Sequence, residues 1–280
     1  VELRGSESGA RAAMRELFAA ELEAARPLTA HDDLLVPREL IDDEQGPGGP
    51  LLVLCEGEAS PAPAPEATID DFLTHALRLT GILEELHQAK ARRRFRFPWS
   101  AADLLSVGGR TRLLVYGTSE DADVLRHELT DRFLDNRDRA APELLRKGMG
   151  AEPADIWILG TLLHEWLSGS HPFAPIDDSL PLRVIEGAEV ESIAEPRFEV
   201  PEALPPLVAS CLARRVHGRP DAALLNKKLA KIAEELESAR VERERRARAR
   251  RRRGRARRPS ARAPRRRPTT RPWSLPAPRG

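Results

Sequence analysis

Four short stretches hold the residue types that ion pairing and catalysis use. Ala141-Pro142-Glu143 carries a carboxylate directly after a proline. Asp155-Ile156-Trp157-Ile158-Leu159-Gly160 carries a second one at the front of an apolar run. Gly169-Ser170-His171-Pro172-Phe173 and Gly218-Arg219-Pro220 follow it. Nearer the front, Glu21 lies in a helix-period stretch and Arg4 in a short β-like one. Residues 89–102 contain no Asp or Glu, so that segment offers neither a general base nor a carboxylate for a metal. His164 and His171 are expected apart, on helix and loop, without a Cys or carboxylate at ligand spacing. No G-x-S-x-G, H-E-x-x-H or phosphate-loop pattern occurs.

Several elements must position these groups. Apolar spacing predicts a helix over Ala12–Ala25, with Met14, Leu17, Phe18 and Leu22 on one stripe and Pro27 limiting it. Asp42–Pro50 (DDEQGPGGP) is turn chemistry between two apolar runs and predicts a hairpin. Ser60–Pro65 (SPAPAP) reads as a stiff exposed connector. A helix from about Thr68 to Gln88 should turn Phe72, Leu73, Ala76, Leu79, Ile82, Leu83 and Leu86 inward. Residues 89–100 are basic and irregular. Gly108-Gly109 between two short apolar runs predicts a second hairpin. Beyond Pro142 the pattern is mostly helical, at about 153–168, 179–187, 204–215 and 221–250.

The chain has 280 residues and 41% hydrophobic content, enough for a buried core. No apolar stretch approaches the roughly 20 residues that span a bilayer. The first residue is Val, so a piece of a longer chain is expected, and no secretory signal is read at the start. Cys55 and Cys211 sit in apolar contexts, which points to a reducing, cytoplasmic setting.

The formal net charge of +1 conceals a strong asymmetry. Residues 240–280 carry 18 Arg against Glu242 and Glu244, a net of +16, which leaves −15 for residues 1–239. Leu224, Leu225, Leu229, Ile232 and Leu236 form a stripe on the last helix, which should project into water beyond Leu236. From Pro259 onward the composition predicts disorder. The cationic block could bind nucleic acid, anionic lipid or an acidic protein. It could also be a solvated linker, or lie on the acidic body.

The four stretches at the head of this section resemble, in order and spacing, the APE, DxWxLG, GxxPF and RP series of the protein kinase family. The resemblance covers about residues 1–237. It implies an α+β, protein kinase-like fold with a truncated β-containing N-terminal lobe over 1–57 and a largely helical C-terminal lobe over 58–237. Residues 238–280 would then be a basic tail, helical first and disordered later. It also implies that Glu143 pairs with Arg219, and that Asp155 starts the central helix and accepts backbone N–H bonds from the catalytic-loop region. Glu21 looks like the helix-C glutamate, with Arg4 where the phosphate-holding Lys would sit. His31-Asp32-Asp33-Leu34-Leu35 is similar to the HPNIV segment, and Leu52-Val53-Leu54-Cys55-Glu56 to the hinge.

The chemical positions depart from the family. Phosphoryl transfer needs a carboxylate near the substrate hydroxyl, an Asp and an Asn for Mg²⁺, and a Lys for the phosphates. Aligned on Asp103, the catalytic loop HRDLKPEN reads Arg96-Phe97-Pro98-Trp99-Ser100-Ala101-Ala102-Asp103. Pro98 stands for the catalytic Asp, Ser100 for the Lys and Asp103 for the Asn. Val115-Tyr116-Gly117 stands for DFG, so Val115 replaces the metal carboxylate. The glycine-rich loop would precede Val1. Thr118, Ser119 and Thr130 are the hydroxyl residues of the activation segment, and Phe97 takes the place of its phosphate-gripping Arg. A phosphate switch is therefore not expected.

The resemblance thus implies a bacterial-type pseudokinase with no catalytic residues, no expected cofactor, and weak or absent ATP/Mg binding. Its expected use is as a signalling scaffold whose helical lobe binds a partner protein, another kinase being one class of partner. One alternative is a genuine or residual Ser/Thr kinase. Another is a nucleic-acid-associated protein working through residues 240–280, with polyanion binding that ignores sequence.

Overall fold

Glycine, proline and acidic clusters cut the front of the chain into short pieces, and long apolar periods build the back. The computed structural model describes residues 8–41, 51–53, 59–61, 68–88, 99–115, 137–147, 152–173, 190, 193 and 196–256. Expectations for Val1–Arg4, for 89–98, for 179–187 and for Pro259 onward lie outside those residues.

Helix α1 (Ser8–Ala25) buries Met14, Leu17, Phe18, Glu21 and Ala25. Spacings of three and four put these on one face. Leu22, expected with them, is half-buried. Pro27 lies in the 3-10 turn Arg26–Leu28 that ends the helix. The first expected hairpin is present: β2 (Glu39–Ile41) pairs antiparallel with β3 (Leu51–Val53), Ile41 opposite Leu51.

A four-stranded sheet runs in the order β1 (Leu34–Leu35), β6 (Arg110–Leu114), β5 (Leu104–Val107), β4 (Ala59–Pro61). The β5–β6 hairpin turns at Gly108 and Gly109, with φ of +59° and +77°. Two residues at positive φ match the twist of the flanking strands, and glycine takes that backbone without steric cost. Strand β4 corrects the reading of Ser60–Pro65 as a connector. Ser60 pairs opposite Ser106, so the segment opens as an edge strand. An edge tolerates Pro61 because a strand there leaves one row of N–H groups without ladder partners.

Helix α2 (Ile69–Gln88) turns in the residues its period predicts, and the Thr68 hydroxyl accepts the Asp71 N–H at its start. Arg78 ties α2 to the sheet by donating to Asp33 Oδ1 at 2.6 Å and to the Thr111 carbonyl at 3.0 Å. After the short α3 (Pro142–Lys147), α4 (Glu152–Ser168) is buried around most of its circumference. A helix apolar on all sides belongs at the centre of a helical layer.

Helix α5 (Leu204–Cys211) packs against α4 at Gly160. A Cβ at that position would lie 2.6 Å from Cys211 Cβ, so glycine permits this approach. Burial pushes the Cys211 thiol up to about 12, which leaves it unreactive near neutral pH. The helix expected over 204–215 stops early. The Ala213 carbonyl instead accepts from Arg219 Nε at 2.7 Å.

Helix α6 (Ala222–Ala256) buries Leu225, Leu229 and Ile232, with Leu236 half-buried. Leu224, expected on that stripe, is 43% exposed. It stands about 100° around the helix from Leu225, too far to share a narrow face. From Glu237 to Arg250 every residue is exposed. The chain forms two compact units, 1–234 and 235–280. The first combines helices with a small sheet, an α+β composition. Among the described residues no helix is long and apolar enough to cross a membrane.

Candidate functional site

The APE-like, DxW-like, PF-like and RP-like residues meet in one cluster. Arg219 donates through Nη1 to Glu143 Oε1 at 2.6 Å and through Nη2 to Glu143 Oε2 at 3.0 Å, a two-pronged pair. Nη1 also reaches the Pro153 carbonyl at 2.8 Å. The Arg219 side chain is 0% exposed and that of Glu143 19%. The guanidinium carbon lies 4.8 Å from the Trp157 ring centre, and Trp157 stacks on Phe173 at 5.4 Å and 10°. Ala141, Leu144, Ala154 and Leu212 close the cluster. A guanidinium takes this place well, because it has a fork for the carboxylate and a flat face for the indole. The cluster fastens α3, α4 and the 213–220 turn together.

Asp155 sits in the first turn of α4, deeply buried. Its Oδ2 lies 3.0 Å from Nε2 of His87, in the last turn of α2. The backbone N–H bonds expected from the catalytic-loop region involve residues 89–98, which lie outside the description. Burial pushes the Asp155 carboxyl above the ordinary carboxylate range. His87 pulls the other way, Glu152 adds to the rise, and the Trp99 indole near the same carboxylate favours its charged form without reaching hydrogen-bond geometry. His87 and Asp155 are 68 residues apart, so no local spacing announces the pair.

Of the residues that the resemblance aligns with catalysis, Ser100, Asp103, Val115 and Glu21 are described. Asp103 ends the 3-10 turn Ala101–Asp103 and is buried. Its Oδ2 accepts the Ser100 N–H at 2.8 Å and lies 3.4 Å from Ser100 Oγ, while that hydroxyl accepts the Ala102 N–H. This reciprocal cap holds the turn that feeds β5. Val115 is buried, and its N–H donates to the Leu35 carbonyl at 2.8 Å, continuing the β1–β6 pairing. Glu21 is buried in α1 at 1% exposure rather than solvated. Arg4 and Pro98 lie outside the described residues. Among those residues no group of His, Cys, Asp and Glu is placed to hold a metal ion.

A second polar cluster was not expected from the sequence. Arg139 Nη2 donates to Glu165 Oε1 at 2.8 Å, tying the 3-10 turn Arg137–Arg139 to α4. His171 Nε2 stands 3.7 Å from Asp138 Oδ2, so this histidine does have a carboxylate neighbour. His164 Nδ1 lies 3.2 Å from the Ser170 carbonyl. The contacts bind the end of α4 to the loop after it, and their sequence signal is weak because each partner lies on a different element.

Part of the sequence is similar to known proteins. Over 90 residues the chain is 36% identical to human mitogen-activated protein kinase kinase kinase 11, and over 90 residues 33% identical to human mitogen-activated protein kinase kinase kinase 10. Over 81 residues it is 33% identical to striated muscle preferentially expressed protein kinase of Danio rerio. About a third of the chain is similar to protein kinases. These partial likenesses support a kinase-like domain. The aligned stretches span 10%, 9% and 3% of the relatives' own lengths. No protein-family model matches the chain.

Proposed function

We propose that the chain is a kinase-like domain without phosphoryl transfer, which acts as a signalling scaffold by binding a partner protein, such as another kinase, on its helical lobe. The observation that carries this reading is a split between two kinds of position. Those aligned with the family's fold-fastening residues form a dense ion-paired and stacked cluster around Arg219. Among the described residues, Asp103 and Val115, which are aligned with its chemistry, have structural contacts instead. Val115, which the resemblance aligns with the metal carboxylate, is apolar and buried, and the Asp103 carboxylate caps its own turn. Mg·ATP draws its affinity from such carboxylates and from a Lys on the phosphates. Val115 offers Mg²⁺ no side-chain oxygen, and Ser100, in the register of a Lys, has no positive charge for a phosphate.

Thermal unfolding with and without millimolar Mg·ATP tests the reading. A ligand that binds the native state at a hundred times its Kd adds about 2.7 kcal/mol. The expected result is an unchanged Tm. A rise in Tm that Asp103→Ala abolishes, with the fold intact by circular dichroism, would make Asp103 a metal ligand and favour a working or residual Ser/Thr kinase.

A further inference from the structure

The charge of the second compact unit is graded along one helix. Residues 235–244 mix Glu235, Glu237, Glu242 and Glu244 with Arg240 and Arg243. Residues 245–256 hold eight arginines and no acid. The helix is continuous through both parts. Arg246 and Arg248 lie 2.7 Å and 3.7 Å from Glu242 and Glu244 one turn back, exposed pairs that hold the helix on without filling its charge.

We propose that the arginine-rich end of α6, residues 245–256, is a contact for duplex nucleic acid that engages the phosphates of both strands. Three observations single out this partner. At 1.5 Å rise per residue the segment is about 18 Å long. B-form DNA carries one phosphate per about 1.7 Å, or roughly ten over that length, close to the eight cations. At about 100° per residue the arginine positions encircle the axis, with no gap wider than about 100°. A flat anionic bilayer meets one side of such a helix, whereas a major groove admits an α-helix between two phosphate backbones. The remaining residues are Ala247, Ala249, Gly254 and Ala256. They give no apolar stripe for a bilayer or a partner helix, and no aromatic ring on which a single strand's bases could stack.

The test uses the full chain and a labelled mixed-sequence duplex of about 24 base pairs, read by fluorescence anisotropy. With about 6–10 phosphates engaged, affinity should fall roughly 10³–10⁵-fold between 50 and 200 mM salt. Two variants remove equal charge. One changes the eight arginines of 245–256 to Gln, a good helix former, and the other changes the eight of 257–280. The helix variant should lose at least tenfold more affinity than the tail variant, with unchanged helicity by circular dichroism. A third variant, Ala247→Pro with Ala249→Pro, keeps every charge, breaks the helix and should also bind more weakly. No duplex binding at 50 mM salt would overturn the proposal. So would an equal or larger loss in the tail variant, or full affinity in the proline variant. Tighter binding to phosphatidylserine vesicles or to a single strand of the same length would replace the duplex with that partner.

Discussion

Arg219 surrenders its hydration completely, and Glu143, the Pro153 and Ala213 carbonyls and the Trp157 face take its place. Removing one partner leaves the other charge without its counterpart in a dry site. Glu143→Ala or Arg219→Ala should therefore each cost about 3–5 kcal/mol in urea unfolding. The double variant should cost less than the two together, since they share one interaction. Additive losses, or losses below about 1 kcal/mol, would mean the pair is solvated. Asp155 carries a pH signature. Its native carboxyl holds a proton more tightly than the unfolded one, because burial raises it. That contribution is present below the unfolded carboxylate range and is lost as pH rises through the native value. The stability of the wild type relative to Asp155→Asn should thus decline as pH climbs above the ordinary carboxylate range. A flat difference would contradict the desolvation. The motif residues Glu143 and Arg219 were legible in the sequence because their order along the chain is informative. His87 was not, because only the packing of α2 on α4 brings its ring to Asp155.

Elements meet here through small residues and short turns. Gly160 lets α4 and α5 approach, and a Cβ there would strike the Cys211 Cβ, which has no flexible end to move aside. Gly160→Ala should cost about 1–3 kcal/mol by chemical denaturation. A neutral result would mean the two helices separate easily. Gly109→Ala meets open space but must hold a positive φ, so its cost should be smaller, about 1 kcal/mol, and local to the β5–β6 hairpin. Both hairpins and the two long core helices could be read from the sequence, since their signals are local: paired glycines, or apolar residues at a fixed period. Strand β4 could not. Ala59–Pro61 is a strand because β5 lies beside it, and a Ser-Pro run read by itself states turn chemistry.

Across the whole molecule two kinds of residue have separated. The first unit is held by buried pairs and stacked rings, and we read Pro98, Ser100, Asp103 and Val115 onto the positions that perform phosphoryl transfer in protein kinases. The basic charge lies beyond that unit, in residues 240–280. The most direct measurement of the central claim is phosphoryl transfer from radiolabelled Mg·ATP to the protein itself and to generic basic substrates. It should be made on the chain together with whatever its reading frame encodes upstream of Val1. The account predicts no incorporation above a blank without protein, and no change on Asp103→Ala. Reproducible incorporation that disappears in Asp103→Ala, with the fold intact by circular dichroism, would contradict it.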